Sequence, residues 1–580
     1  MYSVVRDAER LGEVANEINQ ASAIGLDTET THLSPHHGKL RLVQINTGQN
    51  IYLIDLFHTK TLGPVAVELH AGKAVKVGQN LKFDQKFLLH QFGIEMWPVF
   101  DTYRASAIMH NGKEGMTHRL GDIYAREIPN VAHKGDLGGS DWTGELSSEQ
   151  LGYAAEDVEH LLLLREVMKP KLSQGGFNRA ALIEFQVILP EASMELNGFH
   201  LDSEIWMRLF EENKLLRYRL KEELLQELPH PKGLTSLPGM TVGWNLGSWQ
   251  QKLKSLHMLG VKVENTQADT LAMHAAKFPV LRKLIDYSKV SKLCTAFGPD
   301  YLAHIDSVTG RIHTSFYGFL NTARYSSSDP NLQQIPRQTR YREAFRAPEG
   351  RMIVTADYSQ IELRMMAQLS GDSLLMSVYR KNLDAHRQTA ALVNEVGIEE
   401  VTKDMRQSAK PVNFGLIFGM GADRLVEYAM SAYGVVLSLK EAERFRERFF
   451  DGYSGVKEWH HETLRIGKRS GVSRTASGRI RYLEETAYSE HLNTPVQGSC
   501  ADGLKASLPI VYQRLKKYGG RAKLVHMVHD EIEIESGDDP EELEHIKQDL
   551  VDGMTEGMQQ FLPDVPVVVD AAYGKSWAEH

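Results

Sequence analysis

The spacing of apolar residues changes period several times along the chain, and each change marks a unit. From residue 1 to about 170, short runs with β-type spacing (21–30, 39–46 and 49–56) are bounded by turn formers, and residues 154–168 then take helical spacing. This predicts an α/β unit. Residues 169–178, KPKLSQGGFN, predict a linker. From about 180 to 300 the pattern is helical and amphipathic, as in residues 204–228, with a loop over 230–243. Strands and helices mix from about 305, helical spacing dominates from about 385 to 465, and a strand pattern returns at 523–535. There is no repeat of fixed period. No run of about 18 apolar residues predicts a membrane span.

Length turns this into a multidomain reading: 580 residues exceed what one core organises, and about three to five packing units are expected. The two cysteines, Cys294 and Cys500, have no CxxC or Cys/His companion, which argues against a zinc site or a disulfide scaffold and fits a reducing compartment. The N-terminus has acidic residues and no apolar signal core. A net charge of -9 speaks against nucleic acid until its distribution is seen. Thr463 to Arg481 holds Arg465, Lys468, Arg469, Arg474, Arg479 and Arg481 without one acid, and Arg282, Lys283, Lys289 and Lys292 face only Asp286. Acids gather from Glu533 to Glu544. Separated basic stripes suit an anionic polymer; solvated faces are the plain alternative.

Candidate chemistry then falls in two places. In the strand AIGLDTET, alternation puts Asp27 and Glu29 on one face at a strand end. Close like charges repel, and hard oxygen ligands suit Mg²⁺ or Mn²⁺; for this segment alone, a pair of solvated surface acids is the plainer reading. NLKFD adds Asp84, and YAAED adds Tyr153 and Asp157, four apart on one helical face. In the C-terminal half, RMIVTADYSQIELR reads as a strand ending at Asp357 and running into a helix, with Ser359 and Glu362 at capping-box spacing. KLVHMVHDEIEIE interrupts a strand pattern with His529, Asp530 and Glu531. Between them Arg406, Lys410, Phe414 and Phe418 recur every fourth residue, a helical stripe that binds phosphates at one end and stacks a flat group at the other. A nucleotide is such a ligand.

DTET, NLKFD and YAAED, in this order, resemble the three motifs of DEDD-type 3′→5′ exonucleases with a tyrosine. DYSQIELR, RQSAKPVNFGLIFG and VHDEI resemble motifs A, B and C of family A DNA polymerases, and TARYSSSDPNLQQIP, DAHRQTA, TASGRIR and NTPVQGSCAD resemble supporting segments. The resemblance covers nearly the whole chain and implies its fold class, α/β and α+β multidomain. A ribonuclease H-like exonuclease domain (1–170) is followed by a right-hand polymerase domain (171–580). The thumb is expected at about 180–305, the palm at about 306–380 and 485–580, and the fingers at about 381–484. A 5′-nuclease domain is not expected.

The resemblance further implies two divalent ions per site, Mg²⁺ with Mn²⁺ as an alternative. Asp27, Glu29, Asp84 and Asp157 would hold one pair, with Tyr153 orienting a water. Asp357 and Asp530 would hold the other, with Glu531 a weaker candidate. Arg406, Lys410 and His386 would meet the triphosphate. Phe414, with Phe418 and Gln360 nearby, would line the nucleotide pocket, and phenylalanine at 414 implies discrimination against dideoxynucleotides. Glu362 would exclude a ribose 2′-hydroxyl. Arg324, Asn493, Gln497 and His529 would contact the primer end or the minor groove. Implied partners are primer–template DNA, dNTPs and a single-stranded 3′-end, with a processivity factor or helicase as a candidate, no membrane, and a monomeric state. The expected compartment is the cytoplasm (nucleoid or phage-infected host), or an organelle for a mature chain.

Four positions depart from the family pattern. Ala323 replaces a glycine, so the turn is strained if it needs φ > 0. Phe418 replaces tyrosine. Pro411 lies inside the motif B helix and predicts a kink or widened turn between Lys410 and Asn413. Ser489 stands where an arginine is common. Two rivals remain at this level: a nuclease with an inactive polymerase module, and a non-catalytic DNA-binding scaffold.

Overall fold

The computed structural model describes residues 2–131, 139–230, 244–275, 277–337 and 340–579. Most of the loop expected at 230–243 lies outside them. The N-terminal unit is built on a mixed six-stranded sheet of order β1-β4-β3-β2-β5-β6: β1 Tyr2–Val5, β2 Ala23–Thr30, β3 Leu40–Asn46, β4 Ile51–Asp55, β5 Val75–Gly78 and β6 Val99–Asp101. β3 is antiparallel to both neighbours; β2 and β5, and β5 and β6, run parallel. All seven residues of β3 are buried, because helices cover both faces of the sheet centre.

The predicted linker is mostly helix. Leu161–Gln174 is a single helix through Pro170, and only three residues separate it from the next helix, Asn178–Gln186. Leu161, Leu164, Met168 and Leu172, spaced three or four apart, bury against the sheet and carry the helix through KPKLSQ.

Beyond it, the amphipathic run 204–228 forms the 25-residue helix Ser203–Glu227, capped by the Asp202 carboxylate and packed on Val280–Ala296. A second, four-stranded antiparallel sheet has Arg351–Tyr358 at its centre, flanked by Glu531–Gly537 and Val569–Gly574, with Lys523–Val528 at the edge. The helices Tyr488–Leu515 and Pro540–Gln559 back this sheet. They approach so closely at Gly557 that an added Cβ would lie 2.4 Å from the Ser507 Cα, which only glycine avoids. Helices fill the chain between Ile361 and Ser470. Among the described residues, no helix is long and apolar enough to cross a membrane.

Two candidate active sites

The first site sits at the end of β2. Ligand oxygens of Asp27, Glu29 and Asp157 lie within 4.8 Å of one another. Asp157 and Tyr153 reach in from one face of the helix Ser148–Glu159, whose N-terminus carries a complete Ser147/Gln150 capping box. Asp84, in the first turn of the helix Lys82–Phe92, is buried and accepts the Thr28 hydroxyl at 2.6 Å. The turn before it is held by Asp101, which accepts the backbone N–H of Asn80 at 3.2 Å and of Leu81 at 2.8 Å. The four predicted carboxylates therefore form one cluster.

Its electrostatics are those of uncompensated repulsion. Burial, then the charges of Asp84, Asp157 and Glu29, pushes Asp27 well up. Burial, then Asp157 and Asp84, raises Glu29 to about 9; burial raises Asp84 to about 7. Tyr153 is raised by burial and by the same carboxylates, so it stays a phenol that can donate. The cleft, about 780 Å³, is also lined by Leu33, Phe83 and Arg119. Leu33 and Arg119 lie outside the three sequence motifs of the site, and Phe83 lies within NLKFD. Leu33, a lone apolar residue in the polar turn after DTET and 80% exposed, was the available signal.

The second site is at the end of the central strand of the four-stranded sheet. Asp357 is the last residue but one of that strand and pairs in register with Glu531 and Asp570. Asp530 occupies the turn between Lys523–Val528 and Glu531–Gly537, and its carbonyl accepts the Tyr358 N–H at 3.2 Å. Asp357, His529 and Asp530 line one cavity of about 450 Å³ with Arg324, Gln360, Glu362 and Phe414. Burial, then Asp530 and Glu531, raises the Asp357 carboxyl. Arg324, Glu362 and Phe414 also line a cleft of about 1190 Å³, together with Phe418, Ser489, Asn493 and Gln497.

Several expectations change in detail. Glu531 already has partners: its carboxylate accepts Arg342 Nη1 at 3.2 Å and Trp577 Nε1 at 2.7 Å, and its Oε2 shares Arg337 with Asp530, at 3.4 Å. The capping box is not formed, because Gln360 at φ 53 is the N-cap of the helix Ile361–Ser370 and Glu362 instead bonds Arg324. The motif B helix, Lys403–Leu416, runs unbroken through Pro411, with no widened turn. Burial of Ala409, Pro411 and Val412, with Asn413 bonded to Thr389 at 2.8 Å, holds the helix despite the missing N–H. Phe418 lies just past the helix end, so the stripe is continuous only to Phe414. Ala323 keeps the glycine conformation at φ 59 and is strained there. The basic run 463–481 is only partly a surface feature, since Arg479 is buried and Arg474 bonds the carbonyls of Gly175 and Gly478.

The cationic corner lies beside Phe414. The His386 ring is 5.8 Å from the Phe414 ring, and Arg406 pairs with Asp384 at 2.5 Å. Burial lowers His386 to about 4, with Arg406 and Lys410 adding to this against Asp384. Arg337 was missed by the sequence reading. Its guanidinium bonds Asp530 Oδ1 at 3.2 Å, and no spacing rule marks it, because it follows an irregular segment.

Residues 245–579 match the family model for DNA polymerase family A, and residues 2–173 match that of a 3′-5′ exonuclease. This chain is a family A DNA polymerase. The polymerase is 30% identical to DNA polymerase I of Aquifex aeolicus over the full length of both chains. It is also 30% identical to DNA polymerase I of Pseudomonas aeruginosa, covering all of this chain and 66% of that one. Among solved structures, the POL domain of Pol1 from M. smegmatis, in complex with DNA primer-template and dNTP, superposes with a TM-score of 0.80 at 26% identity, covering 98% of each chain. The polymerase thus carries an N-terminal exonuclease domain followed by its polymerase domain.

Proposed function

We propose that this polymerase extends the 3′-end of a primer with dNTPs at Asp357 and Asp530, and trims mispaired 3′-ends at Asp27, Glu29, Asp84 and Asp157, with Mg²⁺ or Mn²⁺ held at both clusters. The observation that carries it is the convergence of two separate carboxylate sets, each at a strand end and each facing a cleft. The donor sets fit hard divalent ions: they are all oxygen, and burial with neighbouring carboxylates pushes Asp27, Glu29, Asp84 and Asp357 up. Such ions, when bound, activate an attacking oxygen and offset charge on the phosphate.

The chain's own residues supply the rest. Arg406 and Lys410 offset triphosphate charge. Asn413 Nδ2 approaches His386 Nδ1 at 2.9 Å; as an amide N–H it donates, leaving the His386 Nε2–H for a phosphate oxygen. Phe414 and Phe418 offer ring faces for stacking. Glu362 lines the same cavity as Asp357 and Phe414, where it would meet a 2′-hydroxyl. Arg324, Asn493, Gln497 and His529 line the side where the primer end would lie, and minor-groove acceptors there test pair geometry without reading sequence. In the first site, Tyr153 can donate to an attacking water. Leu33 and Phe83 give unpaired bases an apolar rest.

The test separates the two sites. With a labelled primer, Asp357→Asn should lose extension by about a thousandfold or more and keep shortening a mismatched end. Asp27→Ala should do the reverse. Near-normal extension by Asp357→Asn would refute the assignment.

A further inference from the structure

A buried ion network outside both clusters joins them. Glu184 and Glu191, on the successive helices Asn178–Gln186 and Ile188–Asn197, are fully buried. Glu184 receives Arg104 of the exonuclease domain at 3.1 Å, Arg479 at 2.6 Å and Lys505 at 2.5 Å. Burial alone would raise its pKa, but these three cations hold it down to about 2. Glu191 receives Arg104 as well, and also the Tyr325 hydroxyl at 2.5 Å. The Tyr325 ring has the Lys505 ammonium 5.0 Å from its centroid and meets Phe316 edge-on at 6.2 Å.

Tyr325 directly follows Arg324, and Arg324 follows Ala323 in its left-handed conformation. An alanine there is strained, so something must hold the segment. A hydrogen bond from a buried phenol to a buried carboxylate is of the strong, charge-assisted kind. Arg104 is also 3.9 Å from Asp101, whose carboxylate fixes the turn before Asp84.

We infer that Tyr325 is a positioning residue for Arg324: its hydroxyl, anchored on Glu191 and through it on Arg104 of the exonuclease domain, holds the Ala323–Tyr325 segment so that the Arg324 guanidinium faces the primer end. This rests on the reading of Arg324 as a primer contact. The polymerase's hold on the primer is thus built in part on a side chain of its proofreading domain.

Tyr325→Phe removes only the hydroxyl. The ring keeps Phe316 and Lys505, and Glu191 keeps Arg104, so no buried charge is orphaned. In an Asp27→Ala background, single-nucleotide extension of a matched primer is followed at varied dNTP. Arg324→Ala is expected to slow extension. Tyr325→Phe is expected to lower the maximal rate about tenfold, with the dNTP dependence unchanged within about twofold. The double variant is expected to be no slower than Arg324→Ala alone. The inference is overturned if Tyr325→Phe extends at the parental rate while Arg324→Ala is slow, or if it slows Arg324→Ala by a further tenfold. Arg324→Ala at the parental rate overturns the primer-contact reading itself, and the inference with it.

Discussion

Replacing Glu29 by glutamine should stabilise the metal-free exonuclease domain, and the gain should grow with pH. Glu29 lies within 4.8 Å of Asp27 and Asp157, and burial followed by the charges of Asp157 and Asp84 moves its carboxyl from 4.5 to about 9. An acid held higher in the folded chain than in the unfolded one penalises folding in a defined window. Below pH 4.5 it is protonated in both states and costs nothing. Between there and pH 9 folding must take up a proton, at about 1.4 kcal/mol per pH unit. Above pH 9 both states are ionised and the cost levels off. The penalty is therefore about 4 kcal/mol at pH 7.5 and under about 1 kcal/mol at pH 5. Glutamine keeps the shape without the charge. At about 2–4 °C per kcal/mol for a unit of this size, the exonuclease transition should rise about 10 °C at pH 7.5 and about 2 °C at pH 5. Calorimetry in a chelator from pH 5 to 8.5 measures this, and added Mn²⁺ should stabilise the parent more than the variant. An offset that does not change with pH, or a loss of stability, refutes the reasoning.

Two further outcomes are expected. Glu184→Gln leaves Arg104, Arg479 and Lys505 crowded around a neutral group, so denaturant unfolding should show a loss of about 3–5 kcal/mol, and a loss under about 1 kcal/mol would contradict the network's role. Glu362→Ala should raise ribonucleotide incorporation relative to deoxynucleotide by about a hundredfold or more, measured by competing the two in primer extension; an unchanged ratio would remove Glu362 from the sugar pocket.

Three of the proposed catalytic acids stand out in the chain because each breaks an apolar strand pattern: Asp27 after AIGL, Asp357 after MIVTA, Asp530 after LVHMVH. Charge at such points conflicts with the apolar packing around it, and that conflict marks function. What stayed hidden depends on partners far away in the chain. KPKLSQ reads as a linker until Leu172 is seen packed on a sheet. The Ser359/Glu362 spacing promises a cap, but Arg324 offers Glu362 a charged partner and Gln360 takes the cap. Pro411 should disturb a helix, yet packing and Asn413's hydrogen bonds outweigh one lost backbone bond. Arg479 belongs to a basic run by sequence, and only the fold turns it inward to Glu184 and Asp502.

The acidic helix pair 178–197 bears on how this enzyme can be dissected. Glu191 and Glu195 sit on the polymerase side of a cut at residue 173, but Arg104, Lys82 and Lys86, which neutralise them, sit on the other, whereas Glu184 would lose Arg104 and keep Arg479 and Lys505. A truncated synthetic fragment would inherit carboxylates stripped of their counter-ions and suddenly wetted. Switching off proofreading by point substitution at Asp27 leaves that seam closed, and a shortened version would first need Glu191 and Glu195 replaced by neutral residues.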